Sequence, residues 1–215
     1  MSRRSASVVI CAVAAACIAT LAWGLVQGRI QAFDQAVLGV FRTGVDQAGV
    51  IGPPWVQELG RDITAVGSLA ILGFIAATML GYFLIAGRRR DAIRHCLTLV
   101  VSVVGAFGLK QIFNRPRPDL PALARVFTPS FPSGHATISA ALFVSITILV
   151  AEGSANRAIK AYAIAVSVFA IVAVGISRIY LGVHYPSDVV SGWCVGVIAA
   201  LVSNEVAGGR AADEH

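Results

Sequence analysis

The sequence predicts an all-α integral membrane protein, a bundle of six transmembrane helices with an interfacial amphipathic helix between the first two spans. Three observations carry that prediction. Of the 215 residues, 57% are hydrophobic and only 13% charged, with a mean hydropathy of +0.78. An average soluble domain is ~45–50% apolar and ~25% charged, so too few charges remain to cover a soluble globule, and a disordered chain is excluded. Second, the apolar residues fall into six runs near the ~20 residues that one span requires. Third, arginines gather in the short connections between runs, as the positive-inside rule expects of cytoplasmic loops. Six spans use ~120 residues, which leaves a single membrane-embedded domain over residues 1–215 and no appended soluble domain.

The first span is expected at 8–26, behind Arg3 and Arg4. A cleaved signal peptide is the alternative. The run exceeds the usual ~7–15-residue signal core and grows bulkier through Leu21, Trp23 and Leu25, which favours a retained span. Residues 30–60 differ: Ile30, Phe33, Val37, Phe41 and Val45 recur at helical spacing, with Gln31, Asp34, Gln35 and Arg42 between them. That pattern suits a helix lying in the interface, or equally a connecting helix packed on the bundle. Gly52-Pro53-Pro54 is expected to end it, with Trp55 anchored at headgroup depth. Asp62, with Arg61 and Thr64, is then expected to cap the second span.

The remaining spans are expected at 64–86, 93–113, 134–152, 159–177 and 187–207. Arg88, Arg89, Arg90 and Arg94 surround loop 87–92; Arg157 and Lys160 mark loop 153–158. These loops and both termini are assigned to the cytoplasmic side, so loops 114–132 and 178–186 face outward together. The net charge of +6 punctuates the apolar runs instead of forming one patch, so no nucleic-acid partner is expected. Cys11, Cys17, Cys96 and Cys194 show no metal-binding or disulfide spacing and read as lipid-facing or packed thiols.

Ionisable residues at span ends are costly unless paired, solvated or functional, and here they concentrate on the outward side. Lys110, Arg117 and Arg178 supply three cations from three separate span ends. Arginine offers a planar fork that matches phosphate oxygens, and lysine a point charge. Pro132 suits a first helical position, which would leave the Ser133 and Gly134 amides in an open first turn, a ready anion site. Such an arrangement asks for a dianionic, tetrahedral ligand. His184 lies four residues before Asp188, and Pro186 between them suggests that the last helix starts there. Asp188 in that first turn can turn back to one imidazole nitrogen and leave the other as a nucleophile. His135, on another helix, can protonate a leaving oxygen. No carboxylate cluster suits magnesium or a metal pair, so no cofactor is expected and the cations take over the work of a metal.

Lys110-x6-Arg117-Pro118, Pro132-Ser133-Gly134-His135 and Ser177-Arg178-x5-His184-x3-Asp188 together resemble the three-part signature of the type 2 phosphatidic acid phosphatase (PAP2) family. That family also includes the vanadium haloperoxidases and glucose-6-phosphatase-like enzymes. All three parts stand in order, directly covering residues 110–188. The resemblance implies that His184 forms a phosphohistidine oriented by Asp188. It also implies that His135 protonates the departing alkoxide and later activates water, while Lys110, Arg117, Ser133, Gly134 and Arg178 hold the phosphoryl oxygens. Positioning and charge stabilisation suffice for such chemistry.

Around the signature, Arg115 reads as a fourth phosphate ligand or, more simply, a solvated loop charge, and Ser177 as a supporting residue. Asp119 is expected to pair with Arg115 or Arg117, His95 to be interfacial, and Tyr180 and Tyr185 to anchor at the interface. The site depth points to a lipid phosphate substrate among membrane lipids: phosphatidate, phosphatidylglycerophosphate, a polyprenyl diphosphate such as undecaprenyl diphosphate, or a lipid A phosphate. The short 119–131 loop favours a small monoester or a diphosphate terminus. A transporter or flippase is the competing class, but its charges belong near mid-membrane on broken helices. A soluble haloperoxidase conflicts with the hydropathy. Oligomeric state is left open.

Overall fold

The structure, a computed structural model, describes residues 2–44, 49–120 and 128–208. The described residues form eight helices and one short antiparallel strand pair, in chain order: α1 (Arg3–Val26), α2 (Gln31–Val40), β1 (Arg42–Thr43), β2 (Gly49–Val50), α3 (Pro54–Val66), α4 (Leu69–Ile85), α5 (Arg89–Phe113), α6 (Gly134–Gly153), α7 (Arg157–Tyr180) and α8 (Pro186–Gly208). Local chemistry sets the ends. The Ser2, Ser68 and Asn156 side chains cap α1, α4 and α7 by accepting from the amides of Ser5, Ile71 and Ala158. Pro54 and Pro186 occupy first helical positions, where a missing N–H costs nothing. After α7 the chain reverses at Gly182 (φ 73°), a left-handed conformation that glycine adopts freely.

Among the described residues, five helices are long and apolar enough to cross a membrane: α1, α5, α6, α7 and α8. The expected second span, 64–86, is not one straight helix. It is α4 joined to α3 through a 41° bend, and the two pass the same test only as a pair. Asp62 and Thr64 therefore lie inside α3, not at a cap. The amphipathic helix between the first spans is also shorter than its periodicity suggested. It ends at Val40, and the chain continues as the antiparallel β1–β2 pair, with Arg42 opposite Val50. Gly52-Pro53-Pro54 starts α3 instead of ending α2. Val45 and residues 121–127, most of the loop expected to limit the headgroup, lie outside the described residues.

Helix α8 is central, packed against α1, α5 and α6. Its approach to α6 depends on Gly192 and Gly196. A Cβ at Gly196 would lie 2.7 Å from both the Ala140 Cβ and the Ala141 amide nitrogen, so only hydrogen lets the two backbones come this close. Around this core, Val8, Val13, Phe74, Ile85, Phe107 and Phe169 are exposed on the bundle surface. That breadth of bare apolar surface is what hydrocarbon solvates and water does not. The chain is an integral membrane protein.

The loops divide between the two ends of the bundle. Residues 114–120 and the α7–α8 turn meet at one end, through bonds such as that from Arg117 to the Val183 carbonyl. At the other end Arg94 pairs with Glu152 at 2.8 Å, joining the start of α5 to the end of α6. His95 is not interfacial. It is 0% exposed, with Nε2 3.3 Å from the Ala76 carbonyl and its ring against Phe83.

Candidate active site

The C-terminal end of α5, the N-terminal end of α6 and the α7–α8 turn converge at one end of the bundle. Helix α5 stops at Asn114, whose left-handed conformation (φ 38°) returns its amide to the Lys110 carbonyl. The following residues then run across the bundle end. Lys110 Nζ donates to the Pro129 carbonyl, and Arg117 reaches that carbonyl as well, at 3.5 Å, while its Nε donates to the Thr128 carbonyl at 2.8 Å. On α7, Arg178 donates from Nη1 to Thr64 Oγ1 at 2.8 Å. The Arg178 Nε and the Ser133 hydroxyl are buried without a hydrogen-bond partner among the described residues. Buried donors of this kind are costly unless something accepts from them.

Pro186 opens α8 and sets Asp188 in its first turn, as the spacing suggested. The Asp188 carboxylate is 0% exposed. Its Oδ2 accepts from the Ser130 hydroxyl and from the Tyr185 amide (2.8 Å), and its Oδ1 accepts from Arg115 Nη1 (2.7 Å). His184 Nδ1 lies 3.5 Å from Oδ2, with the Ser130 hydroxyl 3.4 Å from the same nitrogen. On the other side of the ring, Arg117 Nη1 lies 3.0 Å from Nε2. A guanidinium only donates, so Nε2 presents its lone pair and the neutral ring keeps its proton on Nδ1, toward Asp188. Burial, reinforced by the charges of Arg117 and Arg178, pushes the His184 pKa down to about 3 against the opposing pull of Asp188. Burial likewise lowers the pKa of Arg117.

His135, second residue of α6, sits at the break between α3 and α4, where a Cβ on Gly67 would lie 3.3 Å from its ring. The charges of Arg178, Arg117 and Lys110 are within electrostatic reach of it. One expectation about α6 is corrected. The helix begins at Gly134 with Ser133 as its cap, so Pro132 precedes the helix, and the Ser133 amide is taken by the Asp188 carbonyl at 2.9 Å. The expected pair of amides is thus reduced by the Ser133 N–H, and the turn adds the unpartnered Ser133 hydroxyl and clear space beside Gly134.

Several flanking residues do other work than their sequence setting implied. Arg115 is not a solvated loop charge, and its guanidinium is engaged by carboxylates. At 6% exposure it bridges Asp188 and Asp34, the latter at 2.7 Å, and stacks 4.0 Å over the Tyr185 ring. Among the described residues, neither Arg115 nor Arg117 pairs with Asp119. Tyr180 is buried and donates to the Ile51 carbonyl, and Tyr185 serves as the platform under Arg115, so neither is a membrane anchor. Ser177 donates to the Val174 carbonyl one turn back, a helix-internal bond. Sequence reasoning missed Asp34, Ser130 and Thr64. Asp34 carried a signal: it falls four residues after Ile30 and three before Val37, within the apolar stripe of α2, where a carboxylate must find a buried partner. Ser130 and Thr64 carried none.

Fold and site define a class: a helical integral membrane protein with a carboxylate-backed imidazole set among buried and half-buried cations at one end of its bundle. Residues 91–210 match the family model described as the PAP2 superfamily, and the chain belongs to that family. A decaprenylphosphoryl-5-phosphoribose phosphatase of Mycobacterium tuberculosis is 32% identical over 170 residues, covering 76% of this chain and 88% of that protein. Phosphatidylglycerophosphatase B of Bacillus subtilis is 29% identical over 184 residues, covering 83% and 85% respectively. The crystal structure of a transmembrane PAP2-type phosphatidylglycerolphosphate phosphatase from Bacillus subtilis shares the fold, with a TM-score of 0.76 at 23% identity over 97% of this chain and 98% of that one.

Proposed function

We propose that the protein is a lipid phosphate phosphatase working through a phosphohistidine, with residues 1–215 acting as one membrane-embedded domain. The observation that carries this reading is the placement of the His184 ring, with Nδ1 3.5 Å from Asp188 Oδ2 and Nε2 3.0 Å from Arg117 Nη1, which puts the ring proton toward Asp188 and leaves the Nε2 lone pair for attack. A phosphoryl group arriving there replaces Arg117 at Nε2, and the guanidinium moves to a phosphoryl oxygen. Nε2 attacks phosphorus, the bond to the lipid oxygen breaks, and His135 gives that oxygen its proton. Asp188 stabilises the positive charge that grows on the ring. Water then attacks the phosphohistidine with His135 as base, which releases inorganic phosphate and restores His184. Lys110, Arg117, Arg178, the Ser133 hydroxyl and the backbone at Gly134 hold the oxygens throughout, and preorganised cations in a buried site need no reorganisation as charge develops.

The substrate is a membrane lipid bearing a phosphate monoester or diphosphate, since the site lies at span ends. The relatives' activities on phosphatidylglycerophosphate and on a polyprenyl-linked phosphoribose support that class. The arginine-rich end, with Arg88, Arg89, Arg90, Arg94 and Arg157 opposite the site, supports an outward-facing active site with both termini cytoplasmic. A bacterial inner membrane is the setting that fits the bacterial relatives. The deciding experiment is phosphate release by purified, detergent-solubilised protein from phosphatidate, phosphatidylglycerophosphate, undecaprenyl diphosphate, a lipid A phosphate and a polyprenylphosphoryl phosphoribose. Release from at least one, lost in His184→Ala, is expected. Folded protein that binds these lipids and liberates no phosphate from any of them points to a transporter and ends the proposal.

A further inference from the structure

The Asp188 carboxylate is not paired with His184 alone. It is half of a buried chain that reaches α2, at the far end of the sequence. Arg115 lies between two carboxylates, donating from Nη1 to Asp188 and from Nη2 to Asp34, each at 2.7 Å. Asp34 is 0% exposed and carries further bonds to the start of α8. Its Oδ1 accepts from the Ser187 amide (3.0 Å) and its Oδ2 from the Ser187 hydroxyl (2.6 Å), which in turn accepts from Arg115 (2.8 Å). Tyr185 beneath the guanidinium fixes its plane.

Charge decides what this chain does. Arg115 and Asp188 alone would sum to zero, and an aspartate neutralised by an arginine gives little support to a ring that becomes cationic when it attacks phosphorus. Asp34 supplies the second negative charge, so that Asp34, Arg115 and Asp188 together are net anionic and the surplus faces His184. A guanidinium shared by two carboxylates fixes the carboxylate without cancelling it.

We propose that Asp34 is a positioning residue of the reaction, acting through Arg115 to hold Asp188 in place while keeping it effectively anionic behind His184. The inference rests on the phosphatase reading above. It also gives α2 a function that its amphipathic pattern hides: the helix delivers a charge to the active site.

The test is a charge-neutralisation cycle in the full-length protein, reading kcat, KM and the single-turnover rate of phosphoenzyme formation, with His184→Ala as the catalytic control. Asp34→Asn keeps the shape and removes the charge. It is expected to lower kcat and phosphoenzyme formation about 10–100-fold with KM within about threefold, the range a displaced or weakened supporting group produces. Asp34→Asn combined with Arg115→Gln removes both charges, leaves Asp188 as the sole anion, and is expected to turn over faster than Asp34→Asn alone. A merely structural Asp34 predicts the opposite, because the double variant loses more bonds. With the His184→Ala control inactive, wild-type kcat in Asp34→Asn, or a double variant no faster than that single, overturns the inference and leaves the phosphatase reading intact. A wild type that releases no phosphate overturns both. If Asp34→Asn does not fold, the double variant decides on its own: turnover within about tenfold of wild type supports the inference, and a loss beyond about hundredfold overturns it.

Discussion

Replacing Gly196 with alanine adds one carbon at the closest approach of α8 to α6, and the structure sets the size of the effect. The new Cβ would stand 2.7 Å from the Ala140 Cβ and 2.7 Å from the Ala141 nitrogen, and against the Thr137 carbonyl, where ordinary contact begins at 3.4 Å. Neither a backbone nitrogen nor a carbonyl can rotate away, so the helices must separate by roughly 1 Å. Helix α8 carries Asp188, and α6 carries His135 behind its cap Ser133, so that separation changes the spacing of the groups that attack and protonate. A misplacement of about 1 Å costs on the order of 100-fold in rate. Overpacking costs about 1–3 kcal/mol, partly offset by the ~1 kcal/mol helix preference of alanine over glycine. Gly196→Ala should therefore lower kcat about 100-fold while the melting temperature in detergent drops only a few degrees. Gly73→Ala, on α4 where an added Cβ meets nothing within 4 Å, serves as control and should keep wild-type activity with equal or slightly higher stability. Assayed by phosphate release on the best substrate of the panel, wild-type kcat and melting temperature in Gly196→Ala would refute the claim that this contact sets the active-site spacing.

Arg115→Met leaves two buried carboxylates facing each other, and breaking a buried pair costs about 3–5 kcal/mol; a large fall in melting temperature is expected. An unchanged melting temperature with a raised KM would return Arg115 to the phosphate ligands. His135→Ala should slow esters with poor leaving groups far more than activated aryl phosphates, which depart without a proton; equal losses on both would remove His135 from the acid role. The depressed His184 pKa also makes stability pH-dependent. Above its ordinary value of 6.5 the ring is neutral in folded and unfolded chains alike, but between 6.5 and about 3 only the unfolded chain takes up the proton, so stability falls as pH falls through that window. His184→Gln should flatten part of this fall in melting experiments, and an unaltered acid profile would contradict the assignment.

The sequence by itself determined whatever depends on neighbours along the chain. Apolar runs located five spans within a few residues of α1, α5, α6, α7 and α8. The four-residue interval from His184, with Pro186 between, predicted Asp188 in the first turn of α8, because proline at a helix start is a local preference. Alternation of arginine-rich and signature-bearing loops along the chain sorts them to separate bundle ends. The break at Gly67-Ser68 was less legible, since an apolar run reads the same whether the helix within it is straight or bent.

Tertiary structure alone decided the charges around the nucleophile. Arg115 finds Asp34 across 81 positions of chain, and Asp34 finds Ser187 across 153. The Ser133 amide, which looks free in a helix-start pattern, is claimed by the Asp188 carbonyl of another helix. The physical reason is common to these cases. Periodicity and capping are properties of adjacent residues, whereas the partner of a buried charge is whichever group the packing of distant segments brings within ~3 Å.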